Sequence, residues 1–449
     1  MDIIFVVSLT FISLVFSVFR DYFIGYPLIL SFIMFSYLAL KRGYLFKDIM
    51  KMAYGGGRKV FTVLKIFILI GGITAAWMAS GTVPGIVYYG IKFMVPKLFV
   101  LYVFLISSLI SFLLGTAFGT VSTVGVALMV IARGGGVNVN LVAGAIIAGA
   151  YFGDRVSPMS SSANLVATLT NTEIYTNIKG MFKTANLPYI ISFVLYGLFS
   201  FIQPLDLAKS NMTKDILNTF TINLWVLLPA MVILIMAALR VDVKISMCFS
   251  ILIAIILSTF LQGYSINETI KYIFFGFYLN PGNPLQSILK GGGILSMAKV
   301  AIIVFVSSSL SGILENTNML KSFEDLLANE VSRSKLFLYT SFVALATAAF
   351  GCNQSISIVL TAYLMDKPYK NQHIDKYQLA LDIENTSVVL PVLIPWNIAG
   401  LVPATTLMIP SVKFLPYVFY LYLIPIINFI YYRIDERKQF DVSLKTENG

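Results

Sequence analysis

The chain has 449 residues, of which 58% are hydrophobic and 12% are charged, and its mean hydropathy of +0.84 excludes an ordinary soluble domain. Its net charge of +11 comes from Lys and Arg in short connections between apolar runs, which indicates positive-inside membrane topology rather than a nucleic-acid partner. One His and two Cys leave little material for histidine catalysis, a zinc site or disulfides. The composition predicts an all-α polytopic membrane protein that lies in the lipid bilayer and carries no cofactor.

The apolar runs that open the chain predict three membrane spans, which are Ile3–Phe19, Tyr22–Leu40 and Val60–Ser80. A strongly basic connection, residues 41–59, separates the second span from the third and should be cytoplasmic. Gly81, Pro84 and Gly85 should stop the third helix, because glycine and proline both disfavour a helix interior.

A glycine-bounded interruption at Gly115–Gly119 follows the next apolar run, Leu98–Leu114. The run after it, Val121–Ala132, is too short to span the membrane alone. Two helical arms around a glycine tip predict a re-entrant hairpin, although a spanning pair remains open.

A second interruption, Gly153–Asn164, brings an Asp, an Arg, a Pro and several hydroxyls into an apolar region. Polar groups in lipid survive only where they are buried in protein or line a watery cavity. We therefore interpret residues 141–170 as one discontinuous helix that forms half of a binding site. A further span, Leu187–Ile202, closes this half.

From Thr221 the same order of elements begins again. Two paired spans, Ile222–Leu239 and Ile245–Leu261, are followed by a GGG segment, Gly291–Gly293, and by a hairpin with its tip at Gly351. A discontinuous helix with its break at Pro391–Asn397 and a final span, Val412–Ile430, complete the second half. The clearest match sets TAFGTVSTVGVAL (116–128) against AAFGCNQSISIVL (348–360). The same six-residue spacing also separates two Pro and Asn pairs, Pro158 with Asn164 and Pro391 with Asn397.

If a hairpin makes no crossing, each half crosses the membrane five times, and an odd number forces the second half to enter from the opposite side. The sequence therefore predicts two inverted-topology repeats, with both termini cytoplasmic. The predicted parts are residues 1–205 as the first repeat, 206–220 as an external connection, 221–432 as the second repeat and 433–449 as a polar cytoplasmic tail.

Four separated stretches resemble the signatures of the NhaC family of bacterial Na+/H+ antiporters, namely WMASGTVPGIVYYG (77–90), GAYFGDRVSPMSSSANL (149–165), NQSISIVL (353–360) and LDIENTSVVLPVLIPWNIAG (381–400). The resemblance extends from Gly55 to Thr406. It implies a carrier of the ion-transporter fold group, in the bacterial inner (cytoplasmic) membrane, that exchanges Na+ for H+ at a midplane site between inverted repeats. The group also includes relatives that move organic acids or amino acids.

The chain departs from the family pattern where carboxylates are usual, because it has Ser161, Asn353 and Asn385 at those positions. Asp154 and Glu384 remain, so one acid is left in each half near the predicted site. We expect these two acids to carry transport and proton coupling, since burial favours the neutral form of a carboxyl group and Na+ favours the ionised form.

Na+ prefers oxygen ligands, which hydroxyl, amide and carboxylate groups near the two breaks could supply. The predicted substrate or ion ligands besides the two acids are Ser157, Ser160, Ser161, Ser162, Asn164, Asn353, Gln354, Asn385, Trp396 and Asn397. The predicted Na+ ligands among all of these are Asp154, Ser157, Asn164 and Asn397. Helix N-termini at the same breaks would instead attract the carboxylate of an organic substrate.

Simpler interpretations remain open at this point for several of these residues. Asp154 could be held in a fixed ion pair with Arg155, and Glu384 could be solvated at a helix entrance. Trp396 could be a packing residue, and the row Ser160–Ser162 could allow close helix contact.

Two transport functions follow from these features. A Na+/H+ antiporter explains the retained acids, whereas a Na+-coupled or exchange carrier for an organic acid or amino acid, of the malate or lactate type, explains the lost carboxylates. An intramembrane enzyme would need a nucleophile with a base or a metal cluster, which the sequence lacks. A homodimer is compatible with the sequence but is not specified by it.

Overall fold

The computed structural model describes residues 3–20, 22–58, 60–206, 211–317 and 331–447. Within these ranges the regular elements are helices, apart from one isolated antiparallel bridge between Phe277 and Gly291. Seven helices in the described residues are long and apolar enough to cross a membrane, or nine if each of two bent pairs is one span. The structure therefore confirms an all-α polytopic membrane protein.

The first half consists of helices joined mostly by short turns. Their bounds are α1 (Ile3–Phe19), α2 (Gly25–Lys41), α3 (Phe46–Arg58), α4 (Phe61–Ala79), α5 (Thr82–Phe93), α6 (Phe99–Leu114), α7 (Ala117–Thr120), α8 (Val126–Gly134), α9 (Val139–Val156), α10 (Ser161–Thr170) and α11 (Ile174–Ile202). A π-helical turn, Val121–Gly125, joins α7 to α8.

The second half follows after a short helix, α12 (Met212–Thr219). Its helices are α13 (Leu228–Ala238), α14 (Val243–Phe260), α15 (Ile266–Phe275), α16 (Ala298–Asn316), α17 (Arg333–Gly351), α18 (Gln354–Asn371), α19 (Lys376–Thr386), α20 (Ile398–Thr406) and α21 (Phe419–Glu447).

Several predicted boundaries are wrong in instructive ways. The basic connection 41–59 contains an amphipathic helix, α3, and Pro84 and Gly85 lie in the first turn of α5 rather than ending a helix. The chain breaks at Gly81, whose φ of 76° suits a glycine. The predicted span Leu187–Ile202 begins too late, because α11 already starts at Ile174.

The second arm of the first hairpin is also longer than predicted. Ala117–Gly134 forms 18 continuous helical residues, so this arm is long enough to span a membrane. The expectation that it is too short to span is therefore wrong, and the re-entrant arrangement stays a prediction.

The central part of the first half, from α4 to α10, recurs in the second half with a constant spacing. α4 and α16 begin at residues 61 and 298 and end at residues 79 and 316, a difference of 237 residues at both ends. The same shift relates the hairpin turns, because Gly115 and Cys352 both end a helix with positive φ, at 64° and 49°. The predicted ungapped match, 116–128 with 348–360, uses a shift of 232 and is therefore out of register by five residues.

The halves also pack on each other reciprocally. Gly56 in α3 contacts α16 so closely that a Cβ atom on Gly56 would lie 2.2 Å from the backbone oxygen of Ser308. In the matching contact, the backbone N–H of Gly293 donates to the oxygen of Gly71 in α4 at 2.7 Å. Positions 56 and 308 correspond to 293 and 71 under the same shift of 237. This reciprocity is the contact pattern of a two-fold related pair, and the opposite orientation of the halves in the membrane stays a prediction.

Candidate functional site

The first helix break is built by its own sequence. α9 ends at Val156, and the backbone of Ser157 turns to an extended conformation, as expected for a residue that precedes a proline. α10 begins at Ser161, and the hydroxyl of Ser160 caps it by accepting a hydrogen bond from the N–H of Ala163 at 3.2 Å. The break spans only four residues, and it leaves the end of α9 and the start of α10 side by side.

Asp154 lies in the last turn of α9, directly before this break, and is only 5% exposed. Its carboxylate accepts hydrogen bonds from the hydroxyls of Ser162 at 2.9 Å and Ser160 at 3.4 Å, and from the amide of Gln354 at 3.3 Å. The backbone N–H of Ala117 also donates to it. All of these donors are neutral, so no cation donates a hydrogen bond to Asp154.

Arg155 does not pair with Asp154, although the two residues are adjacent. The guanidinium group is fully buried and donates to three other helices, where its acceptors are the backbone oxygens of Met181 and Glu384, the hydroxyls of Thr184 and Tyr420, and Oδ1 of Asn385. The alternative of a fixed ion pair with Arg155 is therefore wrong for this structure. Arg155 instead ties α9 to α11, α19 and α21.

A cavity of about 380 Å³ reaches Asp154. The tips of both hairpins line it, with residues 114–119 from the first and 353–355 from the second. Its rim includes Arg240 and Asp242, which are exposed in the connection between α13 and α14. Ser161, which stands where the resembling family has a carboxylate, also lines the cavity.

Glu384 is in a different environment from Asp154. It is fully buried in the last turns of α19, and neither carboxyl oxygen has a hydrogen-bond partner among the described residues. The alternative of a solvated residue at a helix entrance is therefore wrong. The residues that line the cavity around Asp154 do not include Glu384, so the two predicted acids do not share that cavity.

Three of the predicted ligands hold the breaks together instead of facing the cavity. The hydroxyl of Ser157 donates to the oxygen of Phe112 at 2.7 Å, and the amide of Asn164 donates to the oxygens of Pro158 and Ser160. Asn397 lies at the second break and corresponds to Ser160 under the shift of 237. Each of the two residues caps the helix that follows its break.

The remaining predicted residues divide between the cavity and the packed core. Asn353 caps α18 by accepting from the N–H of Ser355 at 2.9 Å, and it lines the cavity with Gln354. Asn385 is occupied by its bond to the buried guanidinium. Trp396 lies away from the cavity, where its indole N–H donates to the oxygen of Ala349 at 2.8 Å.

Two features of the cavity escaped the sequence argument. Tyr151 lies one helical turn before Asp154, lines the cavity and donates its hydroxyl to the oxygen of Ala399 at 2.8 Å. Its spacing of three residues from Asp154 was the available signal. No sequence feature identifies the N–H of Ala117 as a donor to Asp154, because the position of a backbone donor depends on how the hairpin tip folds rather than on residue type.

Two matching helical halves, with interrupted helices meeting at a buried carboxylate beside a cavity, define a secondary transporter. A profile described as the Na+/H+ antiporter family matches residues 149–434. The chain belongs to the Na+/H+ antiporter family.

Three relatives align with most of the chain. A malate-2H(+)/Na(+)-lactate antiporter of Bacillus subtilis is 30% identical over 418 residues, covering 91% of this chain and 89% of the relative. The Na(+)/H(+) antiporter NhaC of Alkalihalophilus pseudofirmus is 27% identical, covering 82% and 80%. The arginine/ornithine antiporter ArcD of Halobacterium salinarum is 29% identical, covering 85% and 80%.

Proposed function

We propose that this antiporter exchanges Na+ for H+, and that Asp154 carries the proton in one half of the cycle and binds Na+ in the other. The observation that carries this proposal is the set of neutral donors around a buried carboxylate. A carboxyl group that is shielded from water and has no cation beside it can be neutral or ionised, and Na+ requires the ionised form. A bound proton and a bound Na+ at Asp154 are therefore mutually exclusive.

The oxygens nearest to Asp154 supply the remaining Na+ ligands in this proposal. The hydroxyls of Ser160 and Ser162 lie within hydrogen-bond distance of the carboxylate, and hydroxyl oxygens suit a hard cation. Ser157, Asn164 and Asn397 of the predicted Na+ ligand set then act by holding the breaks in shape. Na+ is the substrate here, and the described residues contain no cluster of three or more His, Cys, Asp or Glu for a resident metal.

We further propose that the structure represents the inward-facing state. The cavity reaches the surface at the connection that carries Arg240 and Lys244, which the positive-inside rule assigns to the cytoplasm. On the opposite side, the guanidinium of Arg133 donates to the oxygen of Leu407 at 2.7 Å and joins the ends of α8 and α20. Alternating access would open that side and close the cavity. Both termini are then cytoplasmic, in a cytoplasmic membrane.

A second candidate is exchange of an organic acid or an amino acid. The N-termini of α7, α10 and α18 all reach the cavity, at Ala117, Ser161 and Gln354. Helix N-termini attract carboxylates. The names of the malate–lactate and arginine–ornithine relatives agree with this possibility. Such a carrier could retain exchange after its titrating acid is lost, whereas a Na+/H+ antiporter could not.

The test uses proteoliposomes with an imposed pH gradient. Na+, Li+, K+, malate, lactate and a set of amino acids are added separately to the natural protein, to Asp154→Asn and to Asp366→Asn. The last variant is a matched control, because Asp366 is exposed and pairs with Lys370 on the surface of α18. Collapse of the gradient by Na+ alone, lost in Asp154→Asn and kept in Asp366→Asn, would support Na+/H+ exchange. Movement that requires an organic solute would favour the second candidate.

A further inference from the structure

The amphipathic helix α3 attaches to the rest of the protein by one face only. Its buried residues, Ile49, Ala53, Gly56 and Gly57, recur at helical spacing and face α16. Gly312 of α16 approaches Gly56 so closely that no side chain fits at either position. α3 is therefore fixed to α16, and none of the described residues covers its opposite face.

The opposite face is basic. Lys47, Lys51 and Arg58 follow one another at intervals of four and seven residues, which places them on one side of the helix, opposite the buried residues. All three side chains are exposed, and none of them forms an ion pair or a hydrogen bond with a described residue. We call these three residues the basic face of α3.

Large apolar side chains lie beside the basic face and at the start of α3. Tyr54, which is 61% exposed, lies beside the basic face, while Leu45 (70% exposed) and Phe46 (63% exposed) lie where the helix begins. Exposed apolar side chains near cations are typical of segments at the interface between headgroups and acyl chains. α3 also connects two apolar helices, α2 and α4, so it lies near the ends of both.

The second half provides an internal comparison. Under the shift of 237, the positions of Lys47, Lys51 and Arg58 correspond to Pro284, Ile288 and Leu295, none of which is charged. A row of cations is therefore not required by this position in the fold. The positive-inside rule explains cations on the cytoplasmic side, but it does not require them to align on one helix face.

We propose that the basic face of α3 binds the headgroups of anionic phospholipids in the cytoplasmic leaflet, while Leu45, Phe46 and Tyr54 enter the interface between headgroups and acyl chains. Phosphate oxygens accept hydrogen bonds and charge from Lys and Arg. The apolar side chains favour a lipid over a soluble phosphate, because only a lipid offers apolar surface beside its headgroup. This site is separate from the transport cavity and does not depend on which substrate is carried.

The test measures lipid binding to the purified full-length protein in a neutral detergent, by native mass spectrometry. Dioleoyl phosphatidylglycerol is compared with dioleoyl phosphatidylcholine and with inorganic phosphate. The variants are K47Q/K51Q/R58Q and a matched control with the same loss of charge, R433Q/R437Q/K438Q, in the tail of α21. A cation near an anionic leaflet contributes roughly a fivefold factor in affinity, so loss of three should weaken phosphatidylglycerol binding by about 100-fold.

The proposal expects tighter binding of phosphatidylglycerol than of phosphatidylcholine, and affinity within a few-fold of the natural protein for the tail variant. Equal affinity for the two lipids would overturn it, as would equal losses in the two triple variants. Inorganic phosphate that binds as tightly as the lipid would assign the face to a soluble anion and would also overturn it. If K47Q/K51Q/R58Q does not purify, the single variants Lys47→Gln and Lys51→Gln should each weaken binding by roughly fivefold.

Discussion

Gly153→Ala should separate α6 from α9, the helix that carries Asp154. A Cβ atom at this position would lie 2.2 Å from the backbone nitrogen of Phe112 and 2.3 Å from the backbone carbon of Ser111. Ordinary contacts of this kind begin at 3.4 Å, so α6 and α9 must move apart by about 1.2 Å, because backbone atoms cannot rotate away. Overpacking of this kind costs about 1–3 kcal/mol of stability, which exceeds the gain of up to about 1 kcal/mol from replacing a helical Gly by Ala.

The assay is thermal unfolding of the detergent-solubilised protein, followed by size-exclusion chromatography with fluorescence detection. Gly153→Ala should lower the midpoint temperature and reduce Na+-dependent proton movement, since Asp154 is the next residue. Gly197→Ala is the matched control, because it lies in the transmembrane helix α11 and no atom lies within 4 Å of its added Cβ. Equal midpoints for Gly153→Ala and Gly197→Ala would refute the close contact between α6 and α9.

Four further substitutions test other parts of the structure. Asp382→Asn removes a fully buried charge that pairs with the partly exposed Arg333 of α17 and accepts two tyrosine hydrogen bonds. The free energy of unfolding should therefore fall by up to about 3–5 kcal/mol, whereas Lys370→Gln, in an exposed pair, should cost under about 1 kcal/mol. Trp396→Phe removes one hydrogen bond of a residue that does not line the cavity, so proteoliposome transport should continue while stability falls by about 1 kcal/mol. Partial burial opposes ionisation of Glu436, but hydrogen bonds from α17 outweigh it and hold its pKa below the usual value. Its stabilisation is therefore present above the ordinary Glu pKa and is lost as the pH falls through the lowered one. In thermal unfolding measured over a range of acidic pH, Glu436→Gln should make the midpoint temperature depend less on pH.

Helix positions were predictable where apolar length alone decides them. Ile3–Phe19 was predicted with its bounds, and the interrupted helix around Gly153–Asn164 is present as α9 and α10. Hydrophobic runs report burial in lipid or protein, and a proline with flanking glycines reports a break. α3 was missed because it is not apolar enough for a span and contains three consecutive glycines, which disfavour a helix interior.

The composition of the site was predictable, but its division between cavity and scaffold was not. Asp154 and Ser160 lie close to Gln354, although Gln354 is 200 residues from Asp154 in the sequence. Asn164 and Trp396 have equally polar groups, yet their hydrogen bonds go to backbone oxygens of the scaffold. Sequence identifies which side chains need partners in a membrane, whereas only the packing decides whether the partner is a neighbouring backbone or a ligand.

The repeat register shows the same limit. Sequence similarity favours a shift of 232 residues between the two halves, but the structure has a shift of 237. The shift of 237 aligns Gly115 with Cys352, the two residues of positive φ at the hairpin turns. A cysteine in the left-handed region gives no signal in the sequence.

The central claim is that Na+ and a proton compete for Asp154. The most direct measurement is proton release from the purified protein in weakly buffered detergent solution when Na+ is added, followed with a pH-sensitive dye. The account predicts release of up to about one proton per chain on addition of Na+ to the natural protein and to Asp366→Asn, and none from Asp154→Asn. Proton release that persists in Asp154→Asn would contradict the account, because the exchange would then take place at another group.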